Sequence, residues 1–240
     1  MSRSFRSCAV LGLLALLSVS GFAQETRRSG TQTELKITMR VHNYVKTAPQ
    51  VLAAAEREAT RIFRRAGVEV EWVDLTDCRE GGRTEPPCHS PLGPAELVLR
   101  ILARSPAEAQ DPAGETFGVA LVPPDGSDGV DAAVFYSGVQ DLSRTSAASS
   151  AQILGFLAAH EIGHLLLGSG SHSSVGIMRP GWTPEELERS ARGQLGFTPQ
   201  QSERLRAAVA RRSAQPRAVA ERAFPGSVQL TQVRNPSAKN

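Results

Sequence analysis

Cysteine occurs only three times in 240 residues, which excludes a disulfide-stapled miniprotein and any zinc site built mainly from thiolates. No internal repeat is visible, so a stacked-repeat architecture is excluded. Basic and aromatic residues are not interleaved, which removes the usual signature of a single-stranded nucleic-acid groove. With 40% hydrophobic and 21% charged residues, the chain is too apolar for a disordered protein and too polar for a multi-span membrane protein. Its length suits one domain with appendages.

The formal net charge of +3 is unevenly placed. Arg3 and Arg6 precede an apolar core at residues 9–17, and Gly21 and Ala23 flank Phe22. This is the layout of a signal peptide, with cleavage expected after Ala23. The alternative, an uncleaved anchor, needs about 20 apolar residues to span a bilayer, more than this core supplies. Cys8 has no lipobox around it. Without residues 1–23 the chain holds 25 basic and 24 acidic side chains, and residues 24–210 alone hold 19 and 23. The body is therefore mildly acidic, and residues 211–240 carry six basic groups against Glu221 alone. The expected organisation is a signal peptide (1–23), a short extension (24–32), a folded domain (33–212) and a basic flexible tail (213–240). The expected location is secreted or periplasmic, with no stable membrane insertion after cleavage and no nucleic-acid partner. In an oxidising compartment Cys78 and Cys88, with nine residues between them, are expected to pair. Two free thiols are the alternative, and a metal role with His89 is a weaker one.

Hydrophobic periodicity divides the body. Residues 33–45 alternate as a strand, with Leu35, Ile37, Met39 and Val41 on one side. Pro49 opens a helix carrying Val51, Leu52, Ala55, Ala59, Ile62 and Phe63 on one face, ended by Gly67. Strands follow at 68–75, 96–103, 116–122 and 130–137. A long helix spans 147–167, with Gly168 as its stop. Thr183-Pro184 and Thr198-Pro199 each read as a cap followed by proline at the first helical position, starting helices over 183–192 and 198–212. A short alternation at 228–233 is compatible with a strand or with nothing. This order argues for one mixed sheet in an α+β or α/β domain.

On the long helix stands His160-Glu161-Ile162-Gly163-His164. Residues four apart share a helix face, so His160 and His164 can direct two imidazoles at one cation. Zinc suits them, because it takes neutral imidazole readily and a catalytic site uses three protein ligands with a fourth position open. Glu161 can reach a water there without being a ligand and remove its proton. The bland alternative is two histidines and a glutamate on an ordinary helix, weakened by there being only five histidines in the chain.

The run from His160 through Gly168 to His172, followed by Gly176-Ile177-Met178, resembles the site of metzincin zinc peptidases, where H-E-x-x-H-x-x-G-x-x-H precedes a methionine turn. The order of strands and helices before it is similar to that of the metzincin N-terminal subdomain. The resemblance covers roughly residues 33–182, and only the site is specific. It implies an α+β, zincin-like fold: a mixed five-stranded sheet with a backing helix, a long active-site helix and a small helical C-terminal part. By the same resemblance, residues 116–122 would form an antiparallel edge strand that takes an extended peptide substrate, a single catalytic Zn2+ would be held by His160, His164 and His172, and Met178 would form its hydrophobic floor. The spacing departs from the pattern. Gly168 follows His164 by four residues and His172 follows it by eight, against three and six in the family motif. Glu185 and Glu186, 21 and 22 residues beyond His164, are rival third ligands near the gluzincin offset. Where some metzincins carry a tyrosine two residues after the methionine, this chain has Pro180. Arg179 and Tyr136 are candidates for polarising the oxyanion, with a structural ion pair and core packing as their alternatives. Residues 24–32 are too short for a propeptide and contain no cysteine to block a metal. The implied activity is a secreted zinc-dependent metalloendopeptidase acting on peptide or protein substrates with Glu161 as general base. The alternatives are an exported zincin-like module that binds peptide or protein without cleaving it, and metal-assisted hydrolysis of a non-peptide amide.

Overall fold

The computed structural model describes residues 34–78, 88, 90–105, 116–124, 128–215 and 229–234. The expected signal peptide, its cleavage point and the 24–32 extension lie outside them, as does His89.

The alternation at the start of the domain forms β1 (Lys36–Asn43), whose Ile37, Met39 and Val41 are fully buried. Its opposite face is covered at Arg40. Arg40 is buried there, donating to the carbonyls of Ser90 at 2.6 Å and Pro91 at 3.2 Å and pairing with Glu96. The helix begun by Pro49 is α1 (Pro49–Arg65), and it buries Leu52, Ala55, Ala59, Ile62 and Phe63. Next come β2 (Glu69–Asp74), β3 (Glu96–Leu102), β4 (Thr116–Val122) and β5 (Asp131–Phe135). Between β2 and β3, Cys78 and Cys88 are joined, with Cα atoms 5.4 Å apart.

The five strands expected of the body line up as β2-β1-β3-β5-β4. Pairs β1–β2, β1–β3 and β3–β5 are parallel, and β4 is antiparallel to β5. This is the mixed sheet of an α+β domain, and five helices accompany it. The alternation at 228–233 is a sixth strand, β6 (Gln229–Arg234), antiparallel to β4 along its other side. Part of the segment expected to be a flexible tail thus extends the sheet beyond β4.

One helix has no counterpart in the sequence reading. α2 (Tyr136–Thr145) leaves β5 directly, and its N-cap, Phe135, is extended and makes no side-chain cap. Its buried residues are Gly138, Val139 and Leu142, so neither a start signal nor a long apolar stripe marks it. The long helix, α3 (Ser150–Leu167), begins one turn later than the periodicity suggested, at a capping box between Ser149 and Gln152. It is buried on every side from Ile153 to Leu167, because α1, α2, β4, β5 and α5 (Pro199–Ser213) all pack against it. A helix apolar all round is the form that a central element takes. Two of its last carbonyls, which have no partners within the helix, are met by α5: Arg204 donates to Leu167 O at 2.8 Å and the buried Arg212 to Leu165 O at 2.8 Å, and Arg212 also donates to Gly129 O, ahead of β5, at 2.7 Å. The short α4 (Pro184–Ala191) and α5 both start at threonine capping boxes, as the Thr-Pro signals indicated.

Candidate metal centre

His160 and His164 stand on successive turns of α3 and have no solvent exposure. Their Nε2 atoms are 2.9 Å apart, and Nε2 of His172 lies 3.1 Å from that of His164. All three donor atoms fall within 4.8 Å of one another. Ligand nitrogens about 2.0–2.1 Å from a tetrahedral zinc are separated by roughly 3.3 Å. The two separations to His164 Nε2 are near that, so the three rings converge closely enough to hold one small cation.

The other ring nitrogens are also committed. Nδ1 of His160 is 2.6 Å from the carbonyl of Ile177; since a carbonyl only accepts, Nδ1 carries the proton and Nε2 presents its lone pair inward. Nδ1 of His164 is 2.8 Å from the buried hydroxyl of Ser171. Such outer contacts orient imidazoles for metal ligation. Burial disfavours the imidazolium and lowers His160 to about 3 and His164 to about 2, with the neighbouring histidines adding to the shift. Burial lowers His172 as well. All three are neutral at pH 7, the form that binds metal.

The long spacing to His172 is absorbed by two glycines. Gly168 (φ 88°) ends α3, and Gly170 (φ 71°) turns the chain back in the left-handed region that favours glycine. Gln201, in the first turn of α5, then holds the returning loop through Ser171 O at 3.4 Å and Ser173 Oγ at 3.0 Å. The chain continues to Met178, which is fully buried. Its sulfur lies where a β-carbon on Gly163 would come within 2.5 Å, so the thioether packs on the α3 backbone between the two histidine turns. Trp182 stands edge-on to His160, with ring centroids 6.0 Å apart.

Glu161 is fully buried, and neither carboxylate oxygen has a hydrogen-bond partner among the described residues. Desolvation pushes its carboxyl well above the ordinary range. An ionisable side chain kept dry and unpaired is costly, and such groups concentrate at functional sites. The carboxyl lies against β4 at Gly118, where a β-carbon would come within 2.8 Å of Glu161 Cγ.

The rival ligands are placed elsewhere. Glu186 is buried and serves its own helix: it accepts from Thr183 N at 2.9 Å in the capping box and pairs with Arg179 at 3.0 Å. Glu185 is exposed in the first turn of α4. Neither belongs to the three-histidine cluster. Arg179 is thereby held in an ion pair, and Tyr136 is half-buried at the start of α2, packed on the core. Sequence reasoning missed Ser171, the Ile177 carbonyl and Gly118. The first two are neighbours of expected ligand or floor residues and could have been sought as their partners, but nothing local marks Gly118.

No family model matches the chain, and no curated protein sequence matches it. Among solved structures, a zinc-dependent peptidase from Methanocorpusculum labreanum (strain Z) is similar at 15% identity, over 70% of this chain and 99% of that one, with a TM-score of 0.44.

Proposed function

We propose that this chain is a secreted or periplasmic zinc-dependent metalloendopeptidase with a metzincin-like ligand set, His160, His164 and His172. The observation that carries the reading is the convergence of three neutral Nε2 atoms on a helix that also bears a buried carboxyl without a partner among the described residues. The donor chemistry fits zinc: three imidazoles, no thiolate, and outer hydrogen bonds to a carbonyl and a hydroxyl. His172 is the half-open member of the set, which leaves the approach for substrate on its side. A bound zinc ion supplies Lewis-acid polarisation of a carbonyl and lowers the pKa of water from about 15.7 to about 7.

The remaining work falls to this chain's own groups. Ile177 O and Ser171 Oγ hold two ligand rings in one orientation. Met178 and Trp182 keep water from the inner side of the ligands. Glu161 takes the proton from the attacking water and returns it to the leaving amine nitrogen. Burial raises its affinity for a proton, which favours taking one from the attacking water. An extended peptide lying along β4 would pass Gly118, the residue whose backbone touches Glu161.

Replacing Glu161 by Gln tests the reading. The variant should bind one zinc per chain, as the wild type does, and lose hydrolysis of protein substrates. Continued cleavage by Glu161→Gln removes the assigned base, and absence of bound zinc in the wild type removes the enzyme reading altogether.

A further inference from the structure

The outer edge of β4 already carries an extended segment, and it comes from this same chain. β6 runs antiparallel to β4 with Gln229 opposite Val122, Leu230 opposite Leu121, Thr231 opposite Ala120, Gln232 opposite Val119 and Val233 opposite Gly118. That last pair lies level with the carboxyl of Glu161, since Gly118 is the point of contact between β4 and Glu161. We infer that residues 229–234 are a built-in peptide ligand of the β4 edge, and that they compete with any extended peptide for the position beside Glu161. The inference rests on the peptidase reading only for its consequence, lowered turnover of substrate; the occupancy itself does not.

Three features make this strand suited to exchange. First, it ends the sheet: among the described residues β4 is its only strand partner, so release breaks one ladder rather than two. Second, the ladder is irregular at the site, with a register shift between Thr116 and Gly118. A bulge leaves a residue unpaired and weakens pairing locally, here at the level where substrate would be cleaved. Third, 15 residues separate Ser213, where α5 ends, from Gln229, a length that spans up to about 50 Å when extended. As part of the same chain it meets the edge intramolecularly, which favours it over dilute peptide.

A purely protective role is the rival, because a covered edge avoids aggregation. The two roles separate with the full chain, loaded with zinc, and the double variant Thr231→Pro/Gln232→Pro. Amides of consecutive strand residues point to opposite sides, so one of the two prolines must remove a hydrogen bond to β4. Hydrogen exchange at the β4 amides should be faster in the variant. Its KM for peptide substrates should be about tenfold lower, as the fraction of open edge rises, with kcat unchanged. A synthetic peptide of residues 227–236 should restore slow exchange and act as a competitive inhibitor. Equal exchange in both forms overturns the occupancy. Faster exchange with unchanged KM overturns the competition and leaves β6 as a protective cover. Should neither form cleave any substrate, the peptidase reading fails and binding still decides this inference: the synthetic peptide must bind the variant at least about tenfold more tightly than the wild type, and equal binding overturns it.

Discussion

The backbone of Gly118 lies directly against the carboxyl group of Glu161, so close that a β-carbon at 118 would meet Glu161 Cγ at 2.8 Å and Cδ at 2.9 Å. The two residues belong to different layers, β4 of the sheet and the buried helix α3. Their contact sets where the carboxyl can stand.

Gly118→Ala should therefore displace the carboxyl while leaving the histidines untouched. Glu161 has no solvent-filled space to retreat into, and a misplacement of about 1 Å in a reacting group can cost about 100-fold in rate. Peptide hydrolysis should fall by about that factor while zinc affinity stays within about twofold. Titration with zinc alongside steady-state kinetics checks the split; equal loss of both would mean that the substitution has disturbed the fold instead.

Glu161 also imposes a pH dependence on the metal-free chain. Burial holds its folded-state pKa above the 4.5 of the unfolded chain, so between those values the folded state binds more protons and stability declines as pH rises. Glu161→Gln lacks this slope. In the presence of chelator, the melting temperatures of the two proteins should be closest below about pH 4.5, and the wild type should fall behind as pH increases. The buried histidines tilt both proteins the other way: their pKa values are depressed in the fold, so stability drops as pH falls from 6.5 toward 3. That contribution is shared and cancels in the comparison. A difference independent of pH would show that Glu161 titrates normally.

What could be read from the sequence follows the range of each interaction. His160 and His164 are one helical turn apart, so their shared face needs only local geometry, and the Thr183 and Thr198 caps are equally local. β4 was legible to the residue, since Pro112 and Gly114 before it and Pro123-Pro124 after it punctuate the sequence and the run from Phe117 to Val122 holds no polar side chain. α2 was not, because its start has no capping side chain and its anchors are few. β6 stayed ambiguous because six residues of alternation say nothing of a partner more than 100 residues earlier in the chain. The long separation between Gly118 and Glu161 hid their contact in the same way. His172 lies between these cases: its residue type and distance from His164 suggested ligation, while its return depends on Gly168, Gly170 and the hold of Gln201.

The third ligand can be decided by comparing two substitutions. His172→Ala removes a donor from the cluster, and since losing even an outer hydrogen bond costs 10–100-fold in metal affinity, zinc should bind at least about 100-fold more weakly. Glu185→Gln changes an exposed residue in the first turn of α4 and should leave zinc affinity unaltered. Competition with a chromogenic chelator measures both. The reverse ranking would assign the site to a carboxylate ligand from α4.

Met178 and Gly163 should behave as one packing unit. Alanine at 163 favours the helix by about 0.8–1 kcal/mol, yet its β-carbon would meet Met178 Sδ at 2.5 Å and Phe197 Cε1 at 3.0 Å. Overpacking of this kind costs about 1–3 kcal/mol, so Gly163→Ala should destabilise despite the gain in propensity. Met178→Ala alone opens a cavity and should cost about 2–5 kcal/mol. In the double variant the new methyl group enters the space that the thioether has left, and the combined loss should be smaller than the sum by at least about 0.5 kcal/mol. Urea unfolding of the four proteins in chelator gives the coupling directly. Additive losses would mean that the methionine does not pack on the helix between the ligand turns, and its place as the floor of the site would go with that contact.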